Sequence, residues 1–169
     1  MDVGEVFEDA FSRVAEEVHA VVEGLSIERL EARPGPGANS IAWLVWHLTR
    51  VQDDHVADVA GRRQVWTAEG WHERFALPLP AEDTGFGHTS AEVARVSGLS
   101  GEQLTGYYDA VHARTVDYVR TLAPDDLDRV VDTAWDPPVT LGVRLVSVIG
   151  DDHQHVGQAA YVRGLLEAR

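Results

Sequence analysis

A chain of 169 residues, 44% of them apolar, has material for one core but not two, and is too apolar to be disordered. Its 28 acidic against 14 basic residues give a net charge of -14, which repels a phosphate backbone and excludes nucleic acid as an expected partner. Cysteine is absent, so disulfides and thiolate metal sites are excluded, and metal ligands must come from His, Asp, Glu or the main chain.

The first residues, Met1-Asp2-Val3-Gly4-Glu5, carry no basic stretch of the signal-peptide kind. Apolar runs stop well short of the ~20 residues of a membrane span, so a soluble, cytoplasmic protein with no membrane partner is expected. From about residue 5 to 24, Phe7, Ala10, Phe11, Val14, Val18, Val21 and Val22 recur at steps of three and four with charges between them. That is an amphipathic helix stopping near Gly24. Ser26 opens a short turn, and Arg33-Pro34-Gly35-Pro36-Gly37 breaks regular structure. Asn39 or Ser40 caps a second helix to about Gly61, whose first half is apolar almost all round and is expected to be buried. Residues 62–99 show no sustained period beyond a short helix at about 89–96, and so long a segment usually serves a site as lid or insertion. Ser100 and Gln103 form a capping-box pattern opening a third helix to about Leu122. Pro124-Asp125-Asp126-Leu127 is a turn, Asp136-Pro137-Pro138 stops structure again, and a fourth helix runs from about Thr140 to Glu167. Without a convincing strand series, these elements predict an all-α four-helix bundle, a single domain over 1–169, with a long irregular connection between helices two and three.

Two places carry chemistry. Asp151-Asp152-His153-Gln154-His155 sits inside an otherwise apolar helical segment, and His47 follows the run Ile41-Ala42-Trp43-Leu44-Val45-Trp46. A carboxylate and an imidazole spaced i, i+4 lie one above the other on a helix face. An imidazole from a facing helix completes a set that a divalent cation would satisfy, and bundles build interior metal sites in this way. At ~100° per residue, Asp152 falls at the centre of the fourth helix's apolar stripe, with His155 close to it and Asp151 on the flank. In the second helix His55 lines up with Ile41, Leu48 and Val59, while His47 lies on the flank. Periodicity alone favours Asp152 and His55 as the inward groups; a metal in a crevice between helices would use Asp151 and His47. The pattern leaves both open. His153 turns away from the stripe, and His19, His72, His88 and His112 read as surface residues. Of these His88, in a Gly-flanked loop, is the one that could line a pocket. Trp43, Trp46, Trp66, Trp71 and Trp135 read as core or interface residues first and substrate contacts second.

Asn39-Ser40-Ile41-Ala42-Trp43-Leu44-Val45-Trp46-His47-Leu48 resembles the second-helix motif of the DinB-like superfamily, and Asp151-x-x-x-His155-Val156-Gly157-Gln158 resembles its fourth-helix motif. The resemblance implies a four-helix bundle, often a homodimer, with a divalent metal held by one second-helix histidine and two fourth-helix groups. On this chain the implied ligands are His47, Asp151 and His155. Its better understood members include mycothiol-dependent maleylpyruvate isomerases and bacillithiol or mycothiol S-transferases. The implied activity is therefore a metal-dependent thiol transferase or thiol-dependent isomerase acting on a small-molecule substrate with a thiol cosubstrate. The isomerase branch carries Glu-x-x-x-His, so Asp151 is one methylene short. Val156 and Gln158 stand where the motif often continues with Arg or a further His. Two imidazoles and one carboxylate suit zinc first, and nickel, iron or manganese as well. Rival readings are a non-catalytic metal or small-molecule binding stress-response bundle, a metal-dependent hydrolase, and a helical interaction module without metal.

Overall fold

The computed structural model describes residues 1–168. A long helix α1 (Val3–Val22) leads to the short α2 (Ile27–Glu31) and the long α3 (Ile41–Val59). Three short helices follow, α4 (Val65–Ala68), α5 (Trp71–Phe75) and α6 (Ser90–Val93), then the long α7 (Gly101–Val119) and α8 (Leu141–Glu167). The expected all-α class holds, and the start of each long helix has a local cause. Asp2 and Glu5 form a capping box that begins α1 two residues earlier than its apolar pattern does. Ser40, Ser100 and Thr140 accept hydrogen bonds from the first-turn amides of Trp43, Gln103 and Val143. Each such cap contributes about 1 kcal/mol.

The connections hold more structure than periodicity predicts. Residues 62–99 contain α4, α5 and α6, and the short helix expected at 89–96 shrinks to Ser90–Val93, started by a Thr89–Glu92 capping box. Between α7 and α8 lie a 3₁₀ turn at Pro124–Asp128 and two antiparallel strands, β1 (Val130–Asp132) and β2 (Val139–Thr140). These strands are too short to leave an alternating pattern. Trp135, in the turn between them, is 67% exposed, so it is not a core residue.

The direction of the helices follows from one cluster. Phe7 and Phe11 of α1, Val56 and Val59 of α3, Tyr118 and Val119 of α7, and Leu141, Leu145 and Val148 of α8 pack together. The starts of α1 and α8 therefore meet the ends of α3 and α7. Helix α3 packs on α8 and α7, and α1 packs on the same two, so α1 and α3 face each other across one diagonal. With α3 and α7 parallel, the chain leaving α3 must return along the bundle, ~28 Å for a helix of 19 residues, before α7 can begin. The long connection is this crossover. It runs over the outside of α3 and covers its first half, where Ser40 through Arg50 are all buried. Among the described residues no helix is long and apolar enough to cross a membrane.

Candidate metal centre

The crossover explains which histidine of α3 turns inward. Wheel geometry favours His55, yet His47 is 5% exposed while the His55 side chain is 36% exposed. A wheel sees only the bundle side of a helix. The crossover buries the other side near His47, whereas His55 lies beside Asp54 and the guanidinium of Arg144, 3.3 Å away. The His47 ring stacks on Trp43, with centroids 4.6 Å apart and planes at 18°. Its Nδ1 lies 2.5 Å from the main-chain carbonyl of Thr84. A carbonyl only accepts, so Nδ1 carries the proton and Nε2 keeps its lone pair. Gly85 permits this approach: its φ is +89°, and a Cβ there would come within 2.9 Å of both His47 Nδ1 and the Trp46 ring. Only glycine meets both demands without strain.

Helix α8 supplies the facing groups. His155 Nε2 lies 3.6 Å from Asp151 Oδ1, and its Nδ1 lies 3.3 Å from the amide oxygen of Gln158. That oxygen only accepts, so Nδ1 of His155 carries a proton, and it is the loss of the Nε2 proton shared with Asp151 that would free a lone pair for an ion. The His47 and His155 rings stand edge to face with centroids 4.7 Å apart. One donor atom from each of His47, Asp151 and His155 falls within 4.8 Å of the others, so the group can hold a metal ion. The second carboxylate oxygen of Asp151 is buried without a hydrogen-bond partner. Two imidazoles with their outer nitrogens engaged, plus an unsatisfied carboxylate, are the donor set and outer support that a divalent ion requires.

Electrostatics sharpen the contrast between the three groups. Burial holds the His47 pKa below the ordinary histidine value, against the opposing hydrogen bond to Thr84, which favours the neutral ring. Burial pushes Asp151 up, but the hydrogen bond and charge of His155 outweigh it and the carboxyl ends below its usual range. For His155, burial lowers the pKa and the hydrogen bond and charge of Asp151 more than reverse that. Asp152, the alternative acid, is fully buried with neither oxygen partnered. Burial, then the neighbouring Asp151, push it well above the carboxylate range. It occupies the centre of the apolar stripe, as periodicity predicts, whereas the seam between α8 and α3 lies at the flank where Asp151 stands.

A band of outer residues was not visible as a site in sequence. His88 is nearly buried rather than on the surface, with 6% of its side chain exposed. The Trp43 indole donates to its Nδ1 at 3.1 Å, and its Nε2 meets both Asp83 carboxylate oxygens at 3.0 Å. Asp83 also accepts from the amide of Gly85. Arg50, fully buried one turn beyond His47, donates to the carbonyls of Ala81 and Asp83 on either side of Glu82. It thereby ties the crossover to α3 beside the metal group. The signal was present in an Arg inside an apolar helical run, since buried guanidinium groups need partners. The remaining histidines stay outside the group: His19 pairs with Asp109, His153 with Glu17, His72 lies edge-on to Trp66, and His112 stacks on Tyr108.

The family model of the DinB superfamily matches residues 10–159. The chain belongs to the DinB superfamily. Its fold is shared with a conserved protein from Enterococcus faecalis known from a crystal structure. The two are 32% identical with a TM-score of 0.93, over 100% of this chain and 99% of that one. No curated protein matches the chain. Superfamily membership therefore joins a convergent His-Asp-His group on an established helical scaffold.

Proposed function

We propose that His47, Asp151 and His155 bind one divalent ion, zinc before nickel, iron or manganese, and that the protein is a metal-dependent enzyme using a low-molecular-weight thiol. The reaction would be an S-transfer or a thiol-dependent isomerisation of a small molecule, carried out in the cytoplasm by a monomer or homodimer. The observation that carries the metal reading is the convergence of three donor atoms within 4.8 Å, with both imidazole Nδ1 atoms already engaged. Once bound, an ion with three protein ligands keeps open positions that take a thiol as thiolate or lower the pKa of a bound water toward ~7. Two things support the thiol. The helix motifs resemble those of thiol-dependent members, and the chain has no cysteine, so a sulfur nucleophile must arrive as a cosubstrate. Trp43 shields one face of His47, the carbonyl of Thr84 fixes its ring, and the Asp151 side chain, 38% exposed, leaves an approach from solvent.

The test is metal analysis of protein made without a polyhistidine tag, followed by a panel of mycothiol, bacillithiol and glutathione against varied electrophiles. One ion per chain is expected in the wild type and none in His47→Ala, whose helical circular dichroism should persist because a core this apolar folds without metal. Turnover should require a thiol and vanish in Asp151→Ala. Wild-type protein without metal would overturn the site. Ester or amide hydrolysis without thiol would assign a hydrolase, and no turnover by loaded protein would assign a non-catalytic metal-binding bundle.

A further inference from the structure

A cavity of about 220 Å³ opens between α3, α4 and α7, on a different side of α3 from the seam that holds His47, Asp151 and His155. Its apolar lining comes from Val56, Ala57, Val65 and Val111, and the exposed arginines 62, 63 and 114 form its outer part together with the half-buried Glu69. We infer that this cavity binds a small organic anion, an acid with an apolar body about the size of a medium-chain carboxylate, its charged end held at the arginine rim.

The polar groups of the cavity decide the class. Asp53 lies in the lining, but its carboxylate already accepts from the amides of Val65 and Trp66 and the hydroxyl of Tyr107, each at 2.8 Å, with Arg50 at 3.7 Å. Thr115 is equally engaged, donating to the Val111 carbonyl and accepting from Gln52. Neither group has a hydrogen-bonding need left, so the inner end of a ligand has to be apolar. The rim is the reverse. All 14 basic residues of the chain are arginines, and among the described residues most are committed, as Arg13 is to Asp9, Arg120 to Glu8 and Arg144 to Asp132. Among the described residues the side chains of Arg62 and Arg63 find no hydrogen-bond or ion-pair partner, although the chain carries a net charge of -14. Arg114 is shared with Glu69 at 3.0 Å and remains largely exposed. A planar guanidinium fork fits a carboxylate in bidentate fashion, and two such forks stand free at one opening. The volume falls below the ~300 Å³ at which pockets for drug-sized ligands begin, which limits the guest to a small acid.

The experiment is isothermal titration calorimetry of octanoate, with 1-octanol and octylammonium as neutral and cationic controls. It is run on wild type and on His47→Ala, so that a carboxylate landing on a bound metal is distinguished from one in the cavity. Saturable one-to-one binding of octanoate with the same affinity in both proteins is expected. Arg62→Ala combined with Arg63→Ala should weaken octanoate about tenfold or more and leave 1-octanol unchanged, tenfold corresponding to ~1.4 kcal/mol. Ala68→Trp, at an exposed position on the lining, should close the cavity and abolish binding while the circular dichroism stays native. The inference is overturned by any one of four results: no saturable binding, octylammonium binding as tightly as octanoate, undiminished binding in the closed variant, or binding confined to protein with His47 intact.

Discussion

Two polar clusters share helix α3, and they are finished to different degrees. Around Arg50 and Asp53 the charged groups are answered: the guanidinium reaches Gln64, Tyr107 and two loop carbonyls and lies over Trp66, while Asp53 caps α4 and meets Tyr107. One turn away, around His47, the outer nitrogens are answered and the inner donors are not, with an Asp151 oxygen left unpartnered. Both clusters combine burial with charge, so composition alone does not tell them apart. What separates them is satisfaction. A closed cluster is support, and a cluster whose unsatisfied atoms converge on one point is built for something that arrives later.

That contrast fixes the order in which substitutions should act. Arg50→Met opens the closed cluster and leaves Asp53 buried beside an empty place, so urea denaturation should record a loss of ~3–5 kcal/mol. A loss below ~1 kcal/mol would break the distinction. Gly85→Ala forces a Cβ into His47 and Trp46 at a positive φ, which should cost ~1–3 kcal/mol and weaken metal binding by displacing the Thr84 carbonyl. Cobalt titration of this variant at unchanged affinity would show that the crossover does not position His47. Asp151→Asn should change the stability of metal-free protein by only ~0.5 kcal/mol or less, since Asp151 is 38% exposed and stands 3.6 Å from its imidazole partner. The same variant should lose metal affinity by more than ~100-fold, because it removes the only charged ligand. An equal loss in both measurements would reclassify the group as structural.

The smallest effect is a dependence on pH. In metal-free protein the raised pKa of His155 contributes stability that is present below the ordinary histidine value of ~6.5 and is lost as pH rises through the folded value. The lowered pKa of Asp151 contributes stability that is present above the ordinary ~3.9 and is lost as pH falls through the folded value. The pair is thus fully in place between about pH 4 and 6.5, and Asp151→Asn should lower the urea midpoint slightly within that window and flatten its decline on either side relative to wild type. The same proton on His155 competes with metal, so affinity should fall as pH drops through its raised pKa.

The bundle was legible because α1, α3, α7 and α8 each bury a long apolar face that periodicity reads directly, and because caps such as Ser40 and Ser100 mark their starts. The pair Asp151 and His155 was legible from spacing, and its joining to His47 from motif resemblance. The choice between Asp151 and Asp152, and between His47 and His55, was not in the periodicity. It depends on where α3 meets α8 and on which side the crossover covers, both of which are set by helix direction rather than by any local pattern. Arg50 and Asp83 were hidden for the same reason, since they meet across a separation of 33 residues, and of His88 only its place as a possible pocket residue was legible, not its pairing with Asp83 in a stretch with no period.

The group that fixes His47 in its crevice is a main-chain carbonyl, and its side chain takes no part in that bond. Every replacement at position 84 keeps the acceptor, proline included, so a mutational scan for loss of function would pass over Thr84 and register Gly85 instead. Variation at 84 is then free to alter the surface of the crossover, while the atom that orients His47 is inherited with the backbone itself.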